Sequence, residues 1–501
     1  MDDFNVLMEQ RFKKVDELRQ AGVEPFQYKY DKQKMIAAIK EEFKDVADQE
    51  TGYTKTAGRV MIKREHGKTG FADLKDDSGR MQIYFRKDTL GDESFDVFKK
   101  LDIGDIIGVE GPLFRTHTGE ITIIVKAFQL LTKSLRPLPI VKEKDGQLFD
   151  EMTDKEMKYR QRYVDLIVND ESRERFRTRS KIVREIRNFM DDYGYIEVET
   201  PVLQQVYGGA DARPFVTHHN ALHRDLYIRI SLETYLKRCM VGGFEKVYEI
   251  NRVFRNEGIS KRHNPEFTLM EFYEAYKDLY DMMDYTERLV LHVVDALGIP
   301  ERKVEYNGRT IDFNTPWRRL SMVDAIKEYA SIDVMAKNDD ELKAILIKKD
   351  KEEEPEIKKM HRGKLIQELF EAFVEEHLVN PVFITDHPLE VSPLAKKKRG
   401  DTTGLFVERF ELFMNGWELA NAFSELNDPI DQEERFAKQE EAFKAGNEEA
   451  QRMDEDFIRA LQYGLPPAGG CGIGIDRLVM LLTNALTIKD VILFPHLKDE
   501  V

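Results

Sequence analysis

VYEINRVFRNEGISKRHNPEFTLMEFYEAY, residues 247–276, is the stretch on which the reading of this chain turns. It predicts an apolar strand, a polar loop carrying Gly258 and Ser260, and a second strand opening after Pro265. Side chains alternate across a strand, so Phe267, Leu269, Glu271 and Tyr273 share one face of the second strand. Val253, Arg255 and Glu257 share a face of the first in the same way. An arginine, two carboxylates, a phenol and a flat ring on one surface read either as a solvated polar face or as a site. A hairpin built for stability alone would place aliphatic residues there.

Two later stretches weigh on that choice. In FELFMNGWELANAFSE, residues 410–425, Asn415-Gly416 is a strong hairpin signal that sets Met414 opposite Trp417. The same register pairs Phe413 with Glu418 and Glu411 with Ala420, leaving Glu411 and Glu418 diagonal on one face, about 7–8 Å apart. Two carboxylates so placed repel unless a cation lies between them, and a hard ion such as Mg²⁺ suits them. Asn421 and Glu425 have the opposite parity to Glu418, so a site using all four requires a bulge near 420–422. LPPAGGCGIGIDRLVMLLTNA, residues 465–485, predicts a Gly-rich loop running into a helix from about Ile475, with Arg477 in its first turn. Such a helix start offers positive potential to phosphate, although the stretch lacks the Lys-Ser/Thr of a P-loop.

Upstream, GYIEVETPVLQ at 194–204 predicts a strand stopped by Pro201, and GGADARPF at 208–215 a turn where backbone approaches a ligand closely. SLETYLKRCMVGG, from Ser231, predicts a helix with Ser231 as its cap and Glu233 in its first turn. Residues 4–21 and 35–46 read as helices, the first with Leu7, Val15 and Leu18 on one stripe. Between about 54 and 131 five short β segments with Gly-containing turns predict a small closed barrel of the oligonucleotide-binding type. Phe71 there reads first as a core aromatic. The alternative is a ring that stacks a base, with Arg64, Gln82 and Glu120 nearby to read it. The basic AKKKRG at 395–400 reads as a mobile loop, with an RNA or phosphate contact as its alternative.

The chain has 501 residues, enough for several domains. With 41% hydrophobic and 34% charged residues and no apolar run of membrane-spanning length, it reads as a soluble protein with no membrane partner. Cys239 and Cys471 lack metal-ligand spacing, which disfavours a zinc site or disulfide framework and fits a reducing cytoplasm. A formal net charge of −16 argues against non-specific nucleic-acid binding by a global positive field, while leaving local basic patches open.

Taken together, GYIEVETPVLQ, FRNEGISKRHNPEF and GIGIDRLVML resemble the three motifs of class II aminoacyl-tRNA synthetases. GGADARPF, RHNPEFTLMEFYEAY, ELANAFSELNDPIDQ and YGLPPAGGCGIGIDR resemble more closely the bacterial-type lysyl-tRNA synthetases, over all of the chain except 335–365. The resemblance implies an α+β protein. A helical extension (1–50), a five-stranded anticodon-binding barrel (51–134) and a linker (135–153) would precede a catalytic domain (154–501), a six-stranded antiparallel sheet flanked by helices. It implies a homodimer that uses ATP and Mg²⁺ to join L-lysine to tRNA(Lys) through a lysyl-adenylate.

Carried over residue by residue, Arg255 and Arg477 would serve catalysis. ATP would contact Arg255, Asn256, Glu257, Arg262, His263, Asn264, Phe267, Glu418, Leu419, Gly474, Ile475, Asp476 and Arg477. Lysine would contact Gly209, Glu233, Arg255, Glu271, Tyr273, Asn421 and Glu425, and Mg²⁺ would sit on Glu411 and Glu418. Arg64, Phe71, Gln82 and Glu120 match anticodon-reading positions, which reverses the core reading of Phe71. Acids suit a substrate with a cationic side chain; an aspartate-specific relative would need a cation instead. Rivals are an aspartate or asparagine synthetase, a non-catalytic RNA-binding protein on the same scaffold, and an enzyme that lysylates a protein. Two departures stand out: the wording before the helix at QLFDEMTDKEMKYRQRY, and Asp211, which would face solvent or tune the pocket mouth.

Overall fold

The computed structural model describes residues 3–45, 47, 49–139, 142–144, 147–149, 155–444 and 450–499. It divides into two compact units, Met1–Thr153 and Asp154–Val501. Much of the expected linker 135–153 lies outside the described residues.

The first unit is a β structure with helices packed on it. The strands of its main sheet are Thr51–His66, Thr69–Lys75, Arg80–Arg86, Ile106–Arg115, Ile121–Ile124 and Ala127–Thr132. The count is six rather than five because EITIIVKAFQLL breaks at Val125-Lys126, whose amides turn to Tyr84 and Glu110 carbonyls. Pairings run from the first strand through the second, third and fifth to the fourth, which pairs back onto the first. Alternation decides what faces inward: Ala72, Leu74, Ile83 and Phe85 are buried, which leaves Phe71, Asp73, Gln82 and Tyr84 on the outer face. A helix absent from the sequence reading, Lys87–Lys100, buries Phe95 and Phe98, and Phe98 stacks on Phe85 at 4.3 Å between centroids. The N-terminal helix Asp3–Gln20 buries Val15 and Leu18 but leaves Leu7 46% exposed, so the predicted stripe is shorter. The second helix is also shorter than expected, Ile36–Glu42, and is fixed by buried Ile36 and Ile39.

The second unit is built on an eight-stranded sheet. Its order is Arg318–Ser321, Val382–Thr385, Arg409–Met414, Trp417–Ser424, Ala468–Gly474, Glu266–Ala275, Lys246–Phe254 and Ile196–Glu197. The inner six strands are antiparallel, and a parallel strand is added at each edge beyond the expected six. One face carries Met270 and Phe272 into a core formed with Ile182, Ile186, Val290 and Val294 of helices Asp170–Asp192 and Leu279–Leu297. Helix Leu279–Leu297 begins on a reciprocal capping box between Asp278 and Asp281, which satisfies amides that would otherwise lack partners. The other face is covered in part by helices Glu233–Val241 and Glu455–Gln462, and the rest of it carries the cleft described below.

Three local readings are corrected. The Gly-rich stretch is not a loop but the central strand Ala468–Gly474. Glycine is required there because a Cβ on Gly470 would collide with the Tyr273 ring and the Glu425 carboxylate. The 410–425 hairpin turns at Asn415-Gly416 as predicted, but Glu411 pairs with Asn421 and Leu412 with Ala420. Leu419 is the extra residue of a bulge, one position before the expected place, and it restores Asn421 to the face of Glu418. The cations of 396–399 are not a mobile basic patch: Lys396 donates to Asn427, Lys397 and Lys398 pair with Asp431 and Asp386, and Arg399 binds Glu408 and Asp278. Among the described residues, no helix is long and apolar enough to cross a membrane.

Candidate active site and nucleic-acid face

The uncovered part of the second face of the large sheet forms a cleft of about 750 Å³. Strand parity delivers Phe267, Leu269, Glu271 and Tyr273 to its wall, as the hairpin predicts. The bulged strand adds Glu418, Leu419 and Asn421, its partner adds Glu411, and the helix start after the Gly-rich strand adds Asp476 and Arg477. The structure therefore brings together nearly all of the predicted residues of this unit. Arg255, Glu257, Arg262, His263, Asn264, Gly474, Gly209 and Glu233 also line the cleft. Three do not line it: Glu425, which is described below, Asn256 and Ile475. Asn256 is exposed, with its amide donating to the Arg213 carbonyl, and the Ile475 side chain is wholly buried in the core.

One end of the predicted set is acidic and dry. Glu233, Glu271 and Glu425 are 3%, 5% and 1% exposed. Glu271 accepts from the Ser231 hydroxyl (2.9 Å), the Leu232 amide (3.0 Å) and the Tyr273 hydroxyl (3.0 Å). Ser231, expected only as a helix cap, accepts from the Glu233 amide at 3.1 Å while donating to Glu271. Burial pushes the Glu271 carboxyl up to about 7, Glu233 pushes the same way, and the three hydrogen bonds oppose. Burial, with Glu271 and Glu233, also raises the Tyr273 phenol well above its usual range, so it stays a donor.

Glu425 lies just behind the wall, beside Gly470. Its Oε2 is ion-paired with Lys237, yet neither of its buried oxygens makes a hydrogen bond of good geometry among the described residues, and the structure records no ion-pair partner for Oε1. Burial raises this carboxyl to about 8 against the pull of Lys237. A Cβ on residue 470 would fill the space between this Oε1 and the Tyr273 ring, so glycine leaves the way to the carboxylate open. Gly209 is equally constrained, with φ +86° and the Ser231 hydroxyl 2.6 Å from where a Cβ would stand.

The remaining predicted residues carry positive charge, an aromatic plate and two more carboxylates. The Arg255 guanidinium lies 5.2 Å from the Phe267 ring centroid, and its Nε donates to the Ile230 carbonyl at 3.4 Å. Its terminal nitrogens bond to no described residue. Arg477 donates to the Glu418 carbonyl and lies 3.4 Å from Glu418 Oε2. Burial and then the arginines Arg477, Arg262 and Arg255 hold His263 below its ordinary value, and Ser260 lies 2.9 Å from its Nδ1. Asp476 accepts from the Thr268 amide (2.6 Å) and from Arg179 (2.5 Å), locking the helix start onto strand Glu266–Ala275. Asp211 is exposed at the cleft mouth and acts on Lys364 across it.

Glu411 accepts from Arg409 at 2.6 Å. Burial and the carboxylates Glu371, Glu411 and Glu418 push Glu375 up to about 7, which marks a surplus of negative charge at that wall. Two oxygen donors in such a field fit a hard divalent cation. Among the described residues no group of three or more His, Cys, Asp or Glu could hold a metal, so an ion there would share its coordination with a ligand.

Lys237 and Arg409 escaped the sequence reading. Lys237 lies four residues after Glu233, the helical pairing distance, and Arg409 lies two before Glu411 on the same strand face. Both signals were present, but neither shows from sequence that Lys237 also reaches Glu425, or that Arg409 donates to Asn421 at 2.9 Å.

On the first unit, Phe71 is half-buried on the outer face and stacks on Tyr84 at 4.4 Å and 23°. The core reading is thus set aside: residues 72 and 74 take the inward positions. Arg64 is the cross-strand partner of Phe71, and Gln82 accepts from the Thr122 hydroxyl at 2.9 Å. Asp73, raised by burial and influenced by both Arg64 and Glu120, places those two residues near the same patch.

The family described as tRNA synthetases class II (D, K and N) matches residues 154–498, and the OB-fold nucleic acid binding domain matches 54–131. The chain is 51% identical to proteins called lysine–tRNA ligase from Staphylococcus aureus strains MW2, MRSA252 and N315, with 100% of each chain covered. The alignment includes residues 335–365, which the resemblance in sequence had left out.

Proposed function

The chain belongs to the class II tRNA synthetases of the aspartate, lysine and asparagine group, and we propose that it activates L-lysine with ATP and attaches it to tRNA(Lys). The observation that carries lysine rather than aspartate or asparagine is the acidic pocket: three buried carboxylates, one with an oxygen that no protein donor satisfies. An anionic or neutral side chain would leave that oxygen unpaired in a dry site, whereas an ammonium pairs it.

In this reading the ε-ammonium of lysine lies against Tyr273 and Glu425, reached past Gly470, and Glu271 takes up the α-ammonium, with Glu233 beside it already paired by Lys237. Arg255 holds the lysine carboxylate beside the α-phosphate. The carboxylate oxygen attacks the α-phosphorus in line, the bond to the bridging oxygen breaks, and pyrophosphate leaves with its electron pair. A ribose hydroxyl at the tRNA end then attacks the adenylate carbonyl, and AMP leaves. No side chain need act as a covalent nucleophile; fixed charge and positioning carry the rate. Phe267 offers a plate for adenine, and Arg262 and Arg477 face the phosphates. Glu411 and Glu418 would hold Mg²⁺, which when bound neutralises charge on the polyphosphate.

Exposed apolar residues within the GYIEVETPVLQ stretch, Ile196, Val202 and Leu203, with Val216 and Leu222 after it, support a homodimer. Free Cys239 and Cys471 accord with the cytoplasm. The test is amino-acid-dependent ATP–pyrophosphate exchange with Mg²⁺ across all twenty amino acids. Exchange with lysine alone is expected; exchange with aspartate or asparagine would keep the fold and overturn the pocket assignment.

The outer face of the first unit is assigned to the anticodon, with Phe71 as the stacking ring. Base stacking is worth about 1–3 kcal/mol by alanine substitution. Phe71→Ala is therefore expected to raise the KM for tRNA by roughly five- to a hundredfold while lysine-dependent exchange stays unchanged. Unaltered charging would move the recognition face elsewhere.

A further inference from the structure

Lys237 belongs to none of the roles assigned above, yet among the described residues it is the cation ion-paired inside the acidic cluster. Its ammonium lies 2.5 Å from Glu233 Oε1, is ion-paired with Glu425 Oε2, and has the Phe423 ring 5.7 Å away. Its side chain is wholly buried. An ammonium taken out of water is costly unless paired, and here two carboxylates from different elements pair it: Glu233 from the helix and Glu425 from beyond the strand end.

Charge counting gives this arrangement a purpose. On the lysine reading, on which this inference rests, the substrate brings two ammonium groups and one carboxylate, and Arg255 answers the carboxylate. Glu233, Glu271 and Glu425 are three acids for two ammonium groups. The third is surplus, and a surplus buried carboxylate either stays unpaired or takes up a proton. Arg409 acts on Glu233 from across the cleft but is already held by Asn421 and Glu411.

We propose that Lys237 is a positioning and specificity residue that cancels one pocket carboxylate, so that the two negative charges left match a dicationic amino acid. By holding Glu425 through Oε2 it also turns the unpartnered Oε1 toward the gap at Gly470. Lys237 is thus an internal counter-charge. An amino acid with a neutral side chain leaves the pocket one negative charge too many.

A purely structural staple between helix and strand would make a different prediction, and a double-variant cycle separates the two. Lysine-dependent exchange is measured on the full chain for wild type, Lys237→Gln, Glu233→Gln and the double variant. Lys237→Gln is expected to raise the lysine KM by at least about tenfold, as for loss of a charge-assisted contact in a dry site, with the ATP KM within about twofold. Adding Glu233→Gln removes the surplus acid and is expected to bring the lysine KM back by about fivefold or more, a non-additive recovery.

Additive or worse losses in the double variant, or an equal rise in the KM for ATP, would overturn the proposal. If Lys237→Gln does not fold, recovery of folding in the double variant is the expected sign, and failure of both overturns it. Absence of lysine exchange in the wild type would instead sink the lysine reading itself, which this cycle then reports separately.

Discussion

Glu425→Gln is expected to lower kcat/KM for L-lysine by roughly a hundred- to five-thousandfold, the effect of breaking a buried pair at about 3–5 kcal/mol, while the KM for ATP moves little. The substitution keeps the shape of the side chain beside Gly470 and Tyr273, so packing is preserved and charge alone is lost. Lys237 retains only Glu233, and the pocket loses the oxygen that no protein donor satisfies. The surfaces assigned to ATP, Phe267 and Arg477, are not altered. Steady-state exchange kinetics with each substrate varied in turn makes the distinction, and equal damage to both would remove Glu425 from the amino-acid pocket.

The same carboxylates set a pH dependence. Burial raises Glu271 to about 7 and Glu425 to about 8 in the free pocket. A bound ammonium favours the ionised form, so lysine binding draws these values down and releases protons. Affinity for lysine is therefore full above about pH 8 and falls as pH drops through the free values. In Glu425→Gln the upper part of that fall is expected to disappear.

Arg255→Gln is expected to lower kcat for adenylate formation by about a hundred- to a thousandfold, the cost of removing one preorganised donor from developing charge. The guanidinium is held by its Nε on the Ile230 carbonyl and by the Phe267 ring, which leaves its terminal nitrogens for a ligand in the cleft. Charge accumulates on the α-phosphoryl oxygens only as the carboxylate attacks, so the loss falls more heavily on kcat than on either KM. Single-turnover adenylate formation measures it. A variant within tenfold of wild type would shift the phosphate-binding role to Arg262 or Arg477.

Much of this site was legible in the chain because it depends on local periodicity. A period of two puts Phe267, Glu271 and Tyr273 on one face wherever the strand is placed. The Asn415-Gly416 turn sets Met414 against Trp417 by its own geometry. The bulge at Leu419 was foreseen only as a necessity, since where a strand absorbs an extra residue depends on the neighbour it packs against. The helix Lys87–Lys100 was missed because its two anchors, Phe95 and Phe98, gain their burial only from the strands beneath them.

Local patterns in the chain carry its class: the ordered motifs, the two arginines proposed for catalysis and the acids proposed to select a cationic substrate. The tertiary structure alone decided where charge is balanced. It made a Gly-rich stretch the central strand, turned Phe71 outward, tied up the basic run at 396–399, and set Lys237 between Glu233 and Glu425. The reason is physical. Periodicity and turn chemistry act between neighbours in sequence, whereas burial and Coulomb pairing act between neighbours in space, and only the folded chain brings those together.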